Sequence, residues 1–263
     1  MWDARQAAMI ERLNRRRFAQ RLLAAAGMAF LGGCDRLTES AWFERLLDSS
    51  EELTRRVQRW VTGQQALAPE FSEADLSPEF RSNGTNEPDE ADYQALAKSE
   101  FADWRLEIGG LVEHPLKLSL AEIRQLPSRT QITRHDCVEG WSCIGKWKGA
   151  RLSALLDQAA LKPTARYIVF YCADALDEGG DKYYESIDIS GAYHPQTILA
   201  YEMNDRVLPV PYGAPLRLRV ERQLGYKMAK YIMRIEAVES FATIGGGRGG
   251  YWEDRGYEWY AGI

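Results

Sequence analysis

The chain has 263 residues, 45% hydrophobic and 27% charged, with 22 glycines and 10 prolines. That length is near the upper limit of one hydrophobic core, and the composition excludes disordered and collagen-like classes. A formal net charge of -5 excludes a general nucleic-acid binder, whose affinity rests on a basic surface, and four cysteines are too few for a disulfide scaffold.

The N-terminus reads as an address. Asn14-Arg15-Arg16-Arg17-Phe18 is followed by a ten-residue apolar run, Leu22 to Leu31, and then by Gly32-Gly33-Cys34, the order of an export signal. A bilayer span needs about 20 apolar residues, so the run is the core of a signal rather than a mature transmembrane helix. The arginine pair resembles a twin-arginine signal, which implies use of that export machinery and a periplasmic destination. Leu31-Gly32-Gly33-Cys34 resembles a lipobox, which implies a lipid anchor at Cys34. Cleavage before Cys34 takes the net charge from -5 to -9, because six arginines leave with Asp3 and Glu11.

Residues 37 to 62 carry Leu37, Trp42, Phe43, Leu46, Leu47, Leu53, Val57, Trp60 and Val61 at helical spacing, broken at Asp48-Ser49-Ser50, and predict one or two helices. Residues 62 to 90 are rich in Gly, Pro, Ser, Asn and acids and predict a long irregular stretch. Beyond Phe101 the β-rich runs dominate: 104 to 108, 130 to 135, 167 to 172, 198 to 202, 216 to 221 and 231 to 238. Helices are expected at 120 to 125 and 152 to 160. The fold class is therefore α+β, β-rich, with an N-terminal helical extension. Boundaries are set at 1 to 33 for the signal, 34 to 98 for the helical and irregular extension, and 99 to 263 for the core and its tail.

Histidines 114, 135 and 194 lack the paired spacing of a zinc site, no Cys-x-x-Cys occurs, and neither a P-loop nor a dinucleotide fingerprint is present. The unusual segment is Arg134-His135-Asp136-Cys137-Val138-Glu139-Gly140-Trp141-Ser142, at the end of a predicted strand. A cysteine there can project into a cleft as a soft metal ligand, with Arg134, Lys146 and Lys148 favouring its thiolate. A buried free thiol, or a disulfide from Cys137 to Cys143, fits the spacing as well. A second constellation combines Pro211-Tyr212-Gly213-Ala214-Pro215-Leu216-Arg217 with Gly225-Tyr226-Lys227-Met228-Ala229-Lys230. Backbone N–H groups and cations in such turns can hold a phosphate, and two solvated hairpins are the plainer alternative.

Taken together and in this order, the Cys137 run, the Gly-Ala-Pro-Leu-Arg run and the Gly225 to Lys230 run resemble the molybdopterin domain of the sulfite oxidase family. The match lies in its bacterial periplasmic branch, which includes protein-methionine-sulfoxide reductase catalytic subunits. The resemblance covers about Phe80 to Val238 and implies a β-rich mixed-sheet fold holding molybdenum-molybdopterin. It implies Cys137 as the molybdenum ligand. It also implies contacts to the cofactor from Asn83, Asn86 and Glu87 of an early loop, from Cys172 in the place of a threonine, and from Arg217. Lys227, Met228, Ala229 and Lys230 fall at the pterin phosphate by the same resemblance, and Trp141 and Tyr212 become walls of a substrate pocket. The run after Cys137 lacks the cations of the animal and plant sulfite oxidases, which favours a neutral sulfoxide, small or protein-bound, over sulfite. No haem or flavin motif is present, so electrons are expected from another protein such as a membrane or soluble cytochrome. Sulfite-type oxidation and a non-catalytic exported binding lipoprotein are the competing readings. The tail, residues 245 to 260, is rich in glycine and aromatics and is expected to pack across the core, dock a partner or line the entrance to the cofactor.

Overall fold

A computed structural model describes residues 53 to 263 apart from 59, 62, 64 and 177 to 179. The export signal, the lipobox and most of the predicted N-terminal helices lie outside the described residues. Residues 53 to 58 are helical, and residues 58 to 263 make up one compact unit.

Within that unit the strands are β1 (Arg105–Gly110), β2 (Leu116–Ser119), β3 (Ser128–Asp136), β4 (Ser142–Arg151), β5 (Tyr167–Ala175), β6 (Lys182–Asp188), β7 (Ile198–Met203), β8 (Arg206–Val207), β9 (Arg217–Arg219) and β10 (Ile232–Val238). The helices are α1 (Ala91–Lys98), α2 (Leu120–Gln125), α3 (Leu152–Ala159) and α4 (Ile189–Ala192). One sheet runs β2-β1-β10-β5-β6, with β1 and β10 parallel and the other neighbours antiparallel. The other runs β3-β4-β7-β8 with β9 also on β7, antiparallel throughout. This is the α+β, mixed-sheet architecture that the β-rich runs and scarce helices predict.

Local chemistry accounts for the short helices. Ser119 caps α2 by accepting from the Glu122 N–H, while the Glu122 carboxylate accepts from the Ser119 N–H at 2.8 Å, a reciprocal capping box. Helix α3 buries Leu152, Leu155, Leu156 and Ala159, one face at i, i+3, i+4 and i+7 spacing, and ends where Ala160 turns left-handed at φ 55°. That face joins Trp104, Leu106, Ile168, Phe170 and Ile235 in the main core; burying each such side chain is worth about 1.5–3 kcal/mol.

Four strands escape the sequence signals, the two-residue β8 among them. Strand β4, Ser-Cys-Ile-Gly-Lys-Trp-Lys-Gly-Ala-Arg, looks too rich in glycine and lysine for a strand, yet it is an inner strand of its sheet, between β3 and β7. Its glycines answer close approaches: a Cβ on Gly149 would stand 2.2 Å from the Leu199 carbonyl oxygen, at a shift in register with β7. Strand β6 is disguised by Glu185, a carboxylate buried in mid-strand. Strand β2 is only four residues long. In β3 the alternation is present but its inward face is polar, with Gln131, Thr133 and His135 all buried. These choices become intelligible only beside the groups that face them.

Candidate active site

The hairpin between β3 and β4 holds Cys137. Asp136 pairs with Ser142, so residues 137 to 141 form the turn. The Cys137 N–H donates to the Trp141 carbonyl at 2.9 Å, the Gly140 N–H donates to the Cys137 carbonyl at 3.0 Å, and Gly140 sits at φ +84°, where a side chain would be strained. This geometry fixes the thiol at the wall of a cleft of about 710 Å³. Around the thiol stand Asn83, Asp174, Tyr183, Met228 and Lys230, with Trp252 and Tyr257 arriving from the tail. All three described cysteines are free thiols, so the alternative disulfide between Cys137 and Cys143 is not formed.

Burial pushes the Cys137 thiol up, and the nearby Glu139 carboxylate adds to this, while a backbone hydrogen bond at Glu139 and the charges of Arg81 and Arg217 work the other way. The expected help from Arg134, Lys146 and Lys148 is not present. Arg134 pairs with Asp136 at 2.8 Å, Lys146 with Glu73 and Asp205 at 2.7 and 2.9 Å, and Lys148 with Glu202 at 3.2 Å. In each case strand alternation or a competing carboxylate turns the cation from the thiol.

The opposite wall is the loop 83 to 85, pinned by one lysine. The Lys230 ammonium donates to the carbonyls of Asn83 at 2.6 Å, of Pro211 at 3.1 Å and of Thr85, and the Tyr231 hydroxyl donates to the Thr85 carbonyl at 2.7 Å. Burial, reinforced by Arg217, pushes Lys230 down to about 7. Asp174, at the end of β5, is pushed up to about 6 by burial, against the opposing pull of a Thr85 hydrogen bond and of Lys230.

Beneath the cleft lies a buried polar layer. Glu221 accepts from Arg219 Nε at 2.8 Å and from Gln131 Nε2 at 2.8 Å, and Arg219 Nη1 donates to His135 Nδ1 at 3.1 Å while its guanidinium lies over Trp147 at 4.4 Å. His135 is driven well below its usual value by burial and by the charges of Arg217, Arg219 and Lys230, so its ring is neutral. Arg217 is fully buried with one hydrogen bond, to the Tyr212 carbonyl at 3.2 Å, and burial drives it down to about 9.

Of the residues singled out in the sequence, Asn83, Cys137, Met228 and Lys230 line the cleft. Arg217 does not line it, although its charge acts on both Cys137 and Lys230. The others stand elsewhere. Asn86 and Glu87 are exposed, with Glu87 accepting from Gln94 at 3.1 Å. Cys172 lines a separate cleft on β5, and Ala229 is buried with its carbonyl accepting from the Leu218 N–H at 2.8 Å. The Lys227 ammonium is enclosed between the buried carboxylates of Glu185 and Glu253. Trp141 donates to Glu139 at 2.9 Å, and the Tyr212 hydroxyl is spent on the Phe80 carbonyl at 2.7 Å. Sequence reasoning missed Asp174 and Tyr183 as parts of the site, because their strands carry them there without any motif; His135, inside the Cys137 run, is buried and does not line the cleft. Trp252 and Tyr257 were visible only as an aromatic tail.

A family model described as the oxidoreductase molybdopterin binding domain matches residues 93–243. The chain belongs to that family. It is thus a molybdopterin-dependent oxidoreductase of the sulfite oxidase type. It is 37% identical over 96% of its length to an Azospira oryzae protein that carries the name of protein-methionine-sulfoxide reductase subunit YedZ1, covering 89% of that protein. It is 36% identical over 57% of its length to the protein-methionine-sulfoxide reductase catalytic subunit MsrP of Xanthomonas axonopodis pv. citri, and there it spans half of the relative's length. Among solved structures it resembles the sulfane dehydrogenase SoxCD of Paracoccus pantotrophus, with a TM-score of 0.47 and 24% identity, covering 53% of this chain and 39% of that one.

The cleft suits a molybdopterin on observations of its own. Four buried polar side chains in and around it have atoms without a partner: Asn83 Oδ1, Asp174 Oδ1, His135 Nε2, and both Nε and Nη2 of Arg217. Buried donors and acceptors left unmade cost about 1–3 kcal/mol each, so such a concentration marks a polar ligand site. Among the described residues no three His, Cys, Asp or Glu side chains gather as metal ligands. A molybdenum ion at Cys137 would therefore draw its other ligands from the cofactor's sulfurs, and its charge would favour the thiolate that burial opposes.

Proposed function

We propose that this protein reduces a neutral sulfoxide, the methionine sulfoxide of damaged proteins being the best fit, by oxygen-atom transfer. The observation that carries the reading is Cys137: a single thiol fixed by a tight turn at a cleft whose buried polar atoms lack protein partners. Cys137 serves as the protein's ligand to molybdenum, and the cofactor when bound supplies two-electron redox chemistry. Asn83 and Met228 hold the cofactor at the cleft, while Arg217 offers unspent donors beside it. Lys230 contributes its charge while its protons organise the loop 83 to 85.

The charges of the cleft favour a neutral substrate. Glu139 and Asp174 line it as acids, and the donors of its lysine are given to three backbone carbonyls. A dianionic oxyanion such as sulfite meets little attraction there. Tyr226, Trp252 and Tyr257 form an aromatic cluster, with Trp252 and Tyr257 stacked at 5.2 Å and Tyr226 edge-on to Tyr257 at 5.2 Å. Thioether and sulfoxide groups pack well on such rings. We assign substrate contact to these three in place of Trp141 and Tyr212.

Electrons come from a separate protein, in keeping with the word subunit in the relatives' names, and a membrane cytochrome suits that role. The leader at residues 1 to 33 carries the protein to the periplasm, with Cys34 as a lipid anchor; no helix among the described residues is long and apolar enough to cross a membrane. The test is molybdenum and phosphorus analysis of the exported protein beside a Cys137→Ala control, followed by turnover with methionine sulfoxide and with sulfite. Near-stoichiometric molybdenum and sulfoxide turnover that the control loses are expected. Sulfite turnover alone would replace the substrate assignment, and full activity in the control would overturn the role of Cys137.

A further inference from the structure

Residues 53 to 58, 60 and 61 are helical. At 3.6 residues per turn, Leu53, Val57, Trp60 and Val61 fall within an arc of about 100° on one face. All four are exposed, by 63, 49, 85 and 69%, and Trp60 is the most exposed large apolar side chain among the described residues. At the end of the helix it is a polar side chain that packs: a Cβ on Gly262 would stand 2.5 Å from Gln58 Oε1. Polar contacts also hold the chain that follows. The Gly63 carbonyl accepts from Arg222 at 2.9 Å, and Ala68 pairs twice with the Gln196 amide, at 2.7 and 3.1 Å. A helix on the surface of a globular protein ordinarily buries its apolar stripe; this one faces the stripe outward.

Three features identify what covers it as a lipid surface. The segment 53 to 61 contains Arg55, Arg56 and Arg59 and no acid, in a chain of net charge -5. Cations beside an apolar stripe complement anionic phospholipid headgroups. Tryptophan favours the membrane boundary, where its ring meets acyl chains and its N–H meets headgroups. Finally, Cys34 of the lipobox run lies only 19 positions before Leu53, and Trp42, Phe43, Leu46 and Leu47 between them repeat the apolar spacing.

We infer that the helix at residues 53 to 61 lies along an anionic phospholipid surface, with Leu53, Val57, Trp60 and Val61 set among the acyl chains and the arginines at the headgroups. The inference rests on the reading of the leader as an export signal, and it adds to a lipid at Cys34 a second hold on the same membrane. Two holds keep the enzyme at the bilayer where a membrane cytochrome presents its electrons.

The experiment uses the exported protein as wild type, Trp60→Phe, Val57→Glu and Val57→Leu, mixed with vesicles of phosphatidylethanolamine and phosphatidylglycerol or of phosphatidylcholine alone. Tryptophan quenching by brominated acyl chains reads insertion, and trypsin cleavage after Arg55, Arg56 and Arg59 reads protection. Equal melting temperatures in solution are expected, because these positions are exposed. On anionic vesicles wild type should be quenched and its cleavage slowed about tenfold, with a weaker effect on phosphatidylcholine. Trp60→Phe should lose part of the quenching, Val57→Glu should lose both effects, and Val57→Leu should keep both. Equal quenching of wild type and Trp60→Phe, or full protection of Val57→Glu, would overturn the inference and leave the lipid at Cys34 as the sole hold. A dimer in sedimentation that Val57→Glu abolishes, with no quenching in wild type, would overturn it in favour of a second copy. Protection by native membranes but not by pure lipid would overturn it in favour of a membrane protein. The mass of the N-terminal peptide tests the leader separately: quenching with Cys34 unmodified supports the helix while overturning the anchor, and an uncleaved leader overturns the export reading before any variant is compared.

Discussion

Lys227 and Arg217 lie ten positions apart in the same basic segment, both are fully buried, and the structure treats them in opposite ways. Lys227 is enclosed by Glu185 from β6 and Glu253 from the tail, and their attraction holds its proton in place despite burial. Arg217 has a carbonyl and the face of Trp147 at 5.3 Å, with no carboxylate in ion-pair range among the described residues, and its Nε and Nη2 are unbonded. A buried cation with its counter-ions in place is part of the fold; one without them is prepared for an anionic or polar ligand. Motif reading gives both residues the same task, and the three-dimensional arrangement separates them.

The strongest test of that separation begins at the thiol. Cys137→Ala is expected to abolish turnover, measured under steady-state conditions with methionine sulfoxide, while leaving urea denaturation of the cofactor-free protein nearly unchanged. Next in size, Lys227→Met should cost about 3–5 kcal/mol in the cofactor-free protein, because two buried carboxylates lose their shared cation. Arg217→Met should behave in reverse. Its cofactor-free form gains about 2 kcal/mol by losing an uncompensated charge, and its pterin content falls about tenfold or more. If the two methionine variants lose stability alike, the contrast between the cations fails.

A smaller effect tests Asp174. Its native value lies above its unfolded one, so the folded state holds the extra proton between 3.8 and about 6 and loses stability as the pH rises through that window. Asp174→Asn removes this dependence. Unfolding free energies of the cofactor-free proteins in urea should favour the variant by about 3 kcal/mol at pH 7 and converge below pH 4. The smallest expected change is in the tail: Trp252→Ala should raise KM for methionine sulfoxide about threefold to tenfold with little change in kcat, the behaviour of a contact made equally in ground and transition states.

Much of this molecule is legible in its residues. The runs near 105, 130, 168, 199 and 233 become strands because β-branched and aromatic residues cluster there, and Leu120 to Gln125 becomes a helix because Ser119 and Glu122 cap it locally. The turn at Cys137 is also a local matter, since Gly140 and two backbone hydrogen bonds make it. The family likeness rests on short runs of this kind. Tertiary structure decided what local chemistry cannot. Strand β4 hides behind glycines that exist for the Leu199 backbone and the Phe80 ring, and β6 hides behind a glutamate that exists for Lys227. Cys172 and Lys227 were assigned to the cofactor by the family resemblance yet stand away from the cleft, while Asp174 and Tyr183 reach it from strands that advertise nothing. The reason is physical: a turn or a cap is settled by neighbours a few residues away, whereas whether a buried charge such as Lys227 is compensated depends on groups brought in from 26 and 42 residues away.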